Sequence, residues 1–279
     1  MLVFAKIKSV QQKLRSLKKG TTVGFVPTMG ALHEGHLSLV NQARKENDIV
    51  VVSIFVNPTQ FDKEEDLVNY PKTIDKDLSL LKSVYCDLVF VPSAQEIYLN
   101  NIKSQLFSFE GLEHQMEGKF RDGHFNGVGT IVKRLFEIVM PTKAYFGEKD
   151  FQQLQIIRSM VKSNKMPIKI IGCEIFREED GLAMSSRNAR LTKEHKIVAP
   201  FIFQTLKKAK LKFGTNNALE IIDWVKNEFK KQPLLELEYF EIADEETLKP
   251  IKNINTKQKF RAFIAVFAGK IRLIDNISL

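Results

Sequence analysis

The chain has 279 residues, 44% of them hydrophobic and 27% charged, with 21 phenylalanines, which excludes a disordered chain and provides a sizeable core. No segment approaches the ~18 consecutive apolar residues of a membrane span, so no membrane partner is expected. The formal net charge is +9, but Lys207, Lys208, Lys210 and Lys212 alternate with apolar residues as on a solvated helix face, and no aromatic-rich basic motif accompanies them. This patterning argues against a nucleic-acid partner and for a general field that attracts anionic substrates.

Residues 21–26 (TTVGFV) form a β-rich run expected to stop at Pro27, followed by an amphipathic helix over 35–45 with Leu39, Val40 and Ala43 inward. Residues 49–56 (IVVVSIFV) are almost continuously apolar and β-branched, as in a strand buried on both faces of a helix-covered parallel sheet. A helix over 74–84 and a strand over 87–91 follow. The pattern repeats with a helix over 127–139, a strand at 144–146, a helix capped by Asp150 with Leu154, Ile157 and Val161 in phase, and a strand over 168–171. Strand and helix alternating in this way imply an α/β fold with a doubly wound, Rossmann-like parallel sheet. In such sheets ligands sit outside the carboxyl ends of the strands, which directs attention to the segments after Val26, Val56 and Phe146.

Beyond Phe176 the character changes. Helices are expected over 200–213 and 218–230, the latter with Leu219, Ile222, Val225 and Phe229 in phase. Strands follow over 235–243, 260–268 and 271–274, the last two joined through Gly269 and Lys270. The expected organisation is therefore a Rossmann-like domain over 1–175 and a smaller α+β lid domain over 176–279. Cys86 and Cys173 have neither metal-ligand nor redox spacing and read as reduced thiols, and residues 1–10 lack a long apolar stretch, so a cytoplasmic location is expected.

Four segments carry chemistry. Residues 27–36 (PTMGALHEGH) lie between the first strand and its helix, where unpaired N–H groups and a partial positive charge favour phosphate. His33 and His36, three apart, place two imidazoles on one side of the first turn, and Gly35 removes a side chain where a phosphate must come close. Such donors stabilise charge developing at an α-phosphorus without acting as nucleophiles. A zinc pair would need further ligands, and His114, His124 and His195 stand in no ligand spacing; two structural histidines are the plainer alternative. In the second segment, 55–61 (FVNPTQF), Asn57 and Gln60 are neutral amides suited to orienting a hydroxy acid, although Asn-Pro is also a common turn. The third, 146–153 (FGEKDFQQ), offers Lys149 as a point charge for phosphate and Gln153 one turn on; a plain capping box of Asp150 and Gln153 is compatible with that. The fourth, 180–188 (DGLAMSSRN), sets two hydroxyls before Arg187, a donor cluster suited to a leaving pyrophosphate.

Together these segments resemble the pantoate–β-alanine ligase family, the pantothenate synthetases, along most of the first 190 residues. The resemblance extends to 69–73 (NYPKT), 125–128 (FNGV) and 177–181 (REEDG). HEGH alone would indicate only the wider HxGH nucleotidyltransferase superfamily, whose other members remain the alternative, with a nucleic-acid-binding protein on the same fold as a second. The resemblance implies that ATP and pantoate give pantoyl-adenylate and pyrophosphate, and that β-alanine then displaces AMP. It implies that Met29, Gly30, Ala31, Leu32, His33, Glu34, Gly35 and His36 surround ATP, with His36 as proton donor. Gly147, Glu148, Lys149, Asp150, Phe176, Met184, Ser185, Ser186 and Arg187 would complete the nucleotide site. His33, His36, Lys149, Ser185, Ser186 and Arg187 are the catalytic candidates. Gln60 and Gln153 would hold pantoate, Gln60 also β-alanine, and Arg121 and His124 a loop that closes over the site. A homodimer is usual among such enzymes. Phe176 replaces a common valine and Lys72 a common arginine. The acidic pair after the NYPKT segment is interrupted by Lys76, leaving Asp77 as the candidate ligand for Mg²⁺, which ATP itself would bring.

Overall fold

The computed structural model describes residues 1–61, 64–99, 101–215, 217–251 and 258–279. They divide into two compact units, Met1–Glu148 with Gln153–Glu174, and Lys149–Gln152 with Ile175–Leu279. No helix among them is long and apolar enough to cross a membrane.

The first unit holds six parallel strands: β1 (Leu2–Phe4), β2 (Val23–Thr28), β3 (Ile49–Ile54), β4 (Leu88–Phe90), β5 (Lys143–Gly147) and β6 (Lys169–Cys173), in the order β1-β4-β3-β2-β5-β6. The helices are α1 (Ile7–Arg15), α2 (Glu34–Glu46), α3 (Glu64–Val68), α4 (Ile74–Ser83), α5 (Ala94–Tyr98), α6 (Met116–Phe120), α7 (His124–Val139) and α8 (Phe151–Ser163). The chain winds outward from β2 through β3 to β4, and on the other side through β5 to β6. The order reverses at β2, which is where α/β sheets open a crevice at the strands' carboxyl ends. Apolar runs make β3 a central strand: Val50, Val51 and Val52 are fully buried. Val26, Val50, Val52 and Val89 pack with Leu37, Val40 and Ala43 of α2 and Leu81 of α4. On the opposite face, Phe25 meets Phe136 of α7 edge to face at 6.2 Å.

Three expectations shift. Strand β2 continues through Pro27 to Thr28 instead of stopping at Pro27. Thr28 faces β3, since its carbonyl accepts from Phe55 N, so alternation turns Pro27 toward β5; the β2–β5 ladder has already ended at Phe25 and Ala144, and the missing N–H costs no ladder bond. Strand β3 ends at Ile54, two residues early. Helix α7 starts at His124 rather than Gly127, behind Gly123 with φ of +69°, because burial of His124 and Phe125 outweighs the poor helix propensity of Asn126 and Gly127.

The second unit is an antiparallel sheet β7-β8-β9, β7 (Glu236–Asp244), β8 (Phe260–Ala268) and β9 (Ile271–Ser278), with α9 (Lys193–Val198), α10 (Phe201–Lys212) and α11 (Ala218–Phe229). Ile202, Leu206 and Ala209 of α10 and Ile221, Val225 and Phe229 of α11 pack on Ala262, Ile264 and Val266 of the central strand. Of the inward face expected for α11, Val225 and Phe229 are buried and Ile222 packs against the core; Leu219 departs. Ala218 and Ile221 are inward, whereas Leu219 is 62% exposed; Asn217 and Glu220 form a capping box at the helix start. On the other side of β8, Phe151 lies between Arg261, 3.9 Å from its ring centre, and Phe263.

Candidate active site

The turn after β2 is built from inside. Thr28 Oγ1 donates to the Ser53 carbonyl at 2.8 Å and accepts from Gly30 N at 3.2 Å. Gly30 and Ala31 then take positive φ values of +85° and +52°. The buried Asp77 carboxylate closes the turn, with Oδ2 3.0 Å from Ala31 N and Oδ1 2.8 Å from Leu32 N. His33 is the extended N-cap of α2, and the His33 and His36 rings lie 4.1 Å apart at 43°. The helix start expected from the HEGH spacing is present, with both imidazoles side by side.

Two residues of this turn face inward. The Leu32 side chain is in the core and its amide is on Asp77, so in this structure it holds the turn together. The Ala31 amide is committed to Asp77 in the same way. Asp77 itself is 1% exposed and uses both oxygens on these amides and on Thr73 Oγ1 at 3.1 Å. In this structure it braces the turn. Among the described residues no group of three or more His, Cys, Asp or Glu is arranged to hold a metal ion.

The 57–60 turn follows β3, the neighbour of β2. Asn57 is fully buried and acts as its internal frame. Its Nδ2 donates to Gln60 Oε1 at 3.1 Å and to the Gly127 carbonyl at 3.2 Å, and its Oδ1 accepts from Tyr98 OH at 2.5 Å and Thr59 Oγ1 at 3.2 Å. Its amide is engaged within the protein and shapes the turn. Gln60 is half-buried, and its Nε2 reaches Met29 Sδ at 3.1 Å, joining the two turns. The Gln60 carbonyl accepts from His124 Nδ1 at 2.8 Å and Arg121 Nη2 at 3.4 Å, and Arg121 Nη1 lies 3.1 Å from His124 Nε2. A carbonyl only accepts and a guanidinium only donates, so the His124 ring carries its proton on Nδ1 and accepts at Nε2. These two residues, expected on a closing loop, are bonded to the backbone of Gln60. Gln153 is half-buried in the first turn of α8.

In the second unit, residues 176–184 form a hairpin. Arg177 pairs with Ala183, Met184 N donates to the Phe176 carbonyl at 3.0 Å, and Gly181 turns the corner at φ of +94°. Ser185 caps the 3-10 turn Ser186–Arg190 by accepting from Arg187 N at 3.2 Å, and buried Asn188 ties that turn to Glu178 Oε1 at 2.7 Å. Arg177 holds the hairpin on β9 through two bonds to Asp275, 2.7 and 2.9 Å, while its guanidinium stacks 3.5 Å over Phe203. Burial pushes the Asp275 carboxyl up, opposed by the Arg177 bonds. The neighbouring Asn276 donates to the Lys149 carbonyl at 2.9 Å. Lys149, Ser185, Arg187 and Asp275 line one cavity, so three residues selected from two separate sequence segments come together. Asp275 in the cavity wall, with Arg177 and Asn276 that brace it and the Lys149 backbone, is not apparent from the sequence; only the REEDG segment points toward Arg177.

A model of the pantoate-beta-alanine ligase family matches residues 2–278. Pantothenate synthetases of Christiangramia forsetii and Flavobacterium psychrophilum are each 54% identical to the chain, covering 100% of it and 99% and 100% of their own lengths. The crystal structure of the Thermus thermophilus pantothenate synthetase superposes with a TM-score of 0.91 at 38% identity, covering 99% of both chains. The Francisella tularensis pantoate-beta-alanine ligase, complexed with beta-gamma ATP and beta-alanine, does so at 0.83 and 36% identity, covering 100% of this chain and 97% of its own. The chain belongs to the pantoate-beta-alanine ligase family.

Proposed function

We propose that the chain uses ATP to join pantoate to β-alanine through pantoyl-adenylate. One observation carries this reading: the HEGH turn and the Gln60 turn follow adjacent parallel strands at the point where strand order reverses, and Gln60 Nε2 joins them at Met29. In the first half-reaction a pantoate carboxylate oxygen attacks the α-phosphorus and the bond to the bridging oxygen breaks, releasing pyrophosphate. In the second, the β-alanine amine attacks the acyl carbon, the bond to AMP breaks and the amine loses a proton.

His33 and His36, with the α2 start, are assigned to charge developing at the α-phosphorus, and Gln60 and Gln153 to pantoate, Gln60 also to β-alanine. On the second unit, Lys149, Ser185, Ser186 and Arg187 are assigned to the phosphates. The chemistry needs positioning and charge stabilisation, not a covalent nucleophile on the protein. Mg²⁺ enters as part of the ATP substrate, held largely by phosphate and water, in keeping with the commitment of Asp77 to the turn. A homodimer belongs to the same reading. Residues 102–109 run outside any helix or strand, with Gln105 N on Thr130 Oγ1 and Phe107 N on Asn126 Oδ1, while Leu106 between them is 90% exposed. An exposed apolar side chain on a segment held to the fold in this way is a surface that a second copy could cover.

Exchange of labelled pyrophosphate into ATP, with pantoate present and β-alanine absent, tests the adenylate. Pantoate-dependent exchange is expected; exchange indifferent to pantoate would overturn the reading.

A further inference from the structure

We infer that Asp77 is a positioning residue for the proposed adenylation: its carboxylate holds the turn that aims His33 and His36, and this role rests on the reading of that turn as the ATP site. Two consecutive residues of the turn have positive φ. For Gly30 this is free, but Ala31 at +52° is a backbone conformation that a Cβ disfavours, and it persists only where its surroundings over-determine it.

Asp77 supplies that determination. Each carboxylate oxygen takes one amide, Oδ2 that of Ala31 at 3.0 Å and Oδ1 that of Leu32 at 2.8 Å, so the orientation of two successive peptide planes is set by one planar group. Hydrogen bonds to an ionised acceptor are the stronger kind, and burial at 1% exposure keeps water from competing. The carboxylate is itself held. It sits in the first turn of α4, where the helix favours negative charge, its backbone N–H bonds the Thr73 carbonyl at 2.8 Å, and Thr73 Oγ1 reaches Oδ1 at 3.1 Å. The fit is close. A Cβ on Gly30 would stand 3.0 Å from both Asp77 Oδ2 and Ile54 Cγ2, so the turn rests directly on the carboxylate and on the end of β3.

His33 follows immediately, as the extended N-cap of α2. If the two amides lose their acceptor, Ala31 relaxes toward negative φ, and the peptide leading into His33 rotates with it. Three of the roughly four acceptor positions of the carboxylate are taken by these bonds and the residue is 1% exposed, so its main engagement is with the turn.

The test combines Asp77→Asn, Ala31→Gly and the double variant with amide hydrogen exchange on the substrate-free protein. Asp77→Asn should speed exchange at Ala31 and Leu32 by tenfold or more while the amides of β2 and β3 stay protected, and should lower kcat/KM for ATP by roughly 10- to 100-fold. Ala31→Gly, which removes the conformational cost, should restore part of that loss in the double variant. Raising Mg²⁺ should not. Unchanged exchange at Ala31 and Leu32, strict additivity of the two substitutions, or rescue by Mg²⁺ would each overturn the role. Should Asp77→Asn not fold, Thr73→Val carries the same exchange readout, since it loosens the carboxylate and leaves both oxygens. The exchange experiment contains no nucleotide, so its outcome is independent of whether ATP is the ligand.

Discussion

Gly127 lies against Gln60 so closely that a Cβ on the glycine would stand 2.7 Å from Gln60 Cα and 2.2 Å from the Thr59 carbonyl oxygen. The contact is backbone to backbone, so no flexible side chain can yield. Gly127→Ala must therefore displace the 57–60 turn or the start of α7. Overpacking of this kind costs about 1–3 kcal/mol, and displacing an orienting group by about 1 Å costs on the order of 10²-fold in rate. A folded Gly127→Ala protein with a lower melting temperature and a much reduced kcat/KM for pantoate is the expected result. Wild-type kinetics would show that the turn does not orient substrate.

His36→Ala should slow pantoate-dependent pyrophosphate exchange by about 10²–10³-fold if the imidazole stabilises charge at the α-phosphorus. The circular dichroism spectrum should be unchanged. Near-normal exchange in a folded variant would remove His36 from the reaction.

Asp275 has a side chain 2% exposed and makes both bonds to Arg177. Breaking a buried pair from one side leaves an uncompensated charge and costs about 3–5 kcal/mol. Asp275→Ala should lower stability by that order in denaturant titration and release the 176–184 hairpin to proteolysis. A loss below about 1 kcal/mol would show that the pair does not hold the hairpin.

Burial pushes the Cys86 thiol up to about 12, and burial with the nearby Glu46 and Glu148 pushes Cys173 to about 11, from an ordinary value of 9.0. Both thiols thus keep their protons to higher pH in the fold than in the unfolded chain. Their contribution to stability is complete below about 9 and is lost as pH rises toward 11 to 12. At pH 8 neither should react with iodoacetamide in the native protein, and both should react after denaturation. Rapid native labelling at pH 8 would contradict this.

Leu106→Asp tests the proposed pairing of two copies. Sedimentation should move from dimer toward monomer in the variant, with the melting temperature of the monomer little changed. A wild-type dimer unaffected by the substitution would place the contact elsewhere.

Much of the fold is legible in the sequence because long apolar periodicities are local signals. Val50, Val51 and Val52 announce a buried strand, and the spacing of Ile202, Leu206 and Ala209 announces α10. The three-residue edge strand Leu2–Phe4 is too short to carry a pattern and is set by pairing with Leu88–Phe90, whereas helix Ile7–Arg15 does place Ile7, Val10 and Leu14 at helical spacing, although it is not among the expected elements. The inward face of α11 is legible at Val225 and Phe229 but not in its first turn, since Leu219 and Ile221 are equally apolar and only Ile221 reaches the core. At the site, His33, His36, Gln60 and the 185–187 segment are legible because their chemistry is unusual for a loop. Asp77, Asn57 and Asp275 are not. Their roles depend on partners far along the chain, such as the amides 46 and 45 residues before Asp77, and an acidic or amide residue alone does not say whether it faces a ligand or a buried backbone.

The ligase chemistry itself is tested most directly by product release with ATP, pantoate and β-alanine supplied singly and together. AMP should accumulate in step with pantothenate, one for one, only when all three are present, with an equal amount of pyrophosphate. Sustained AMP release without β-alanine, or a stable product that retains the nucleotide, would contradict the two-step ligase.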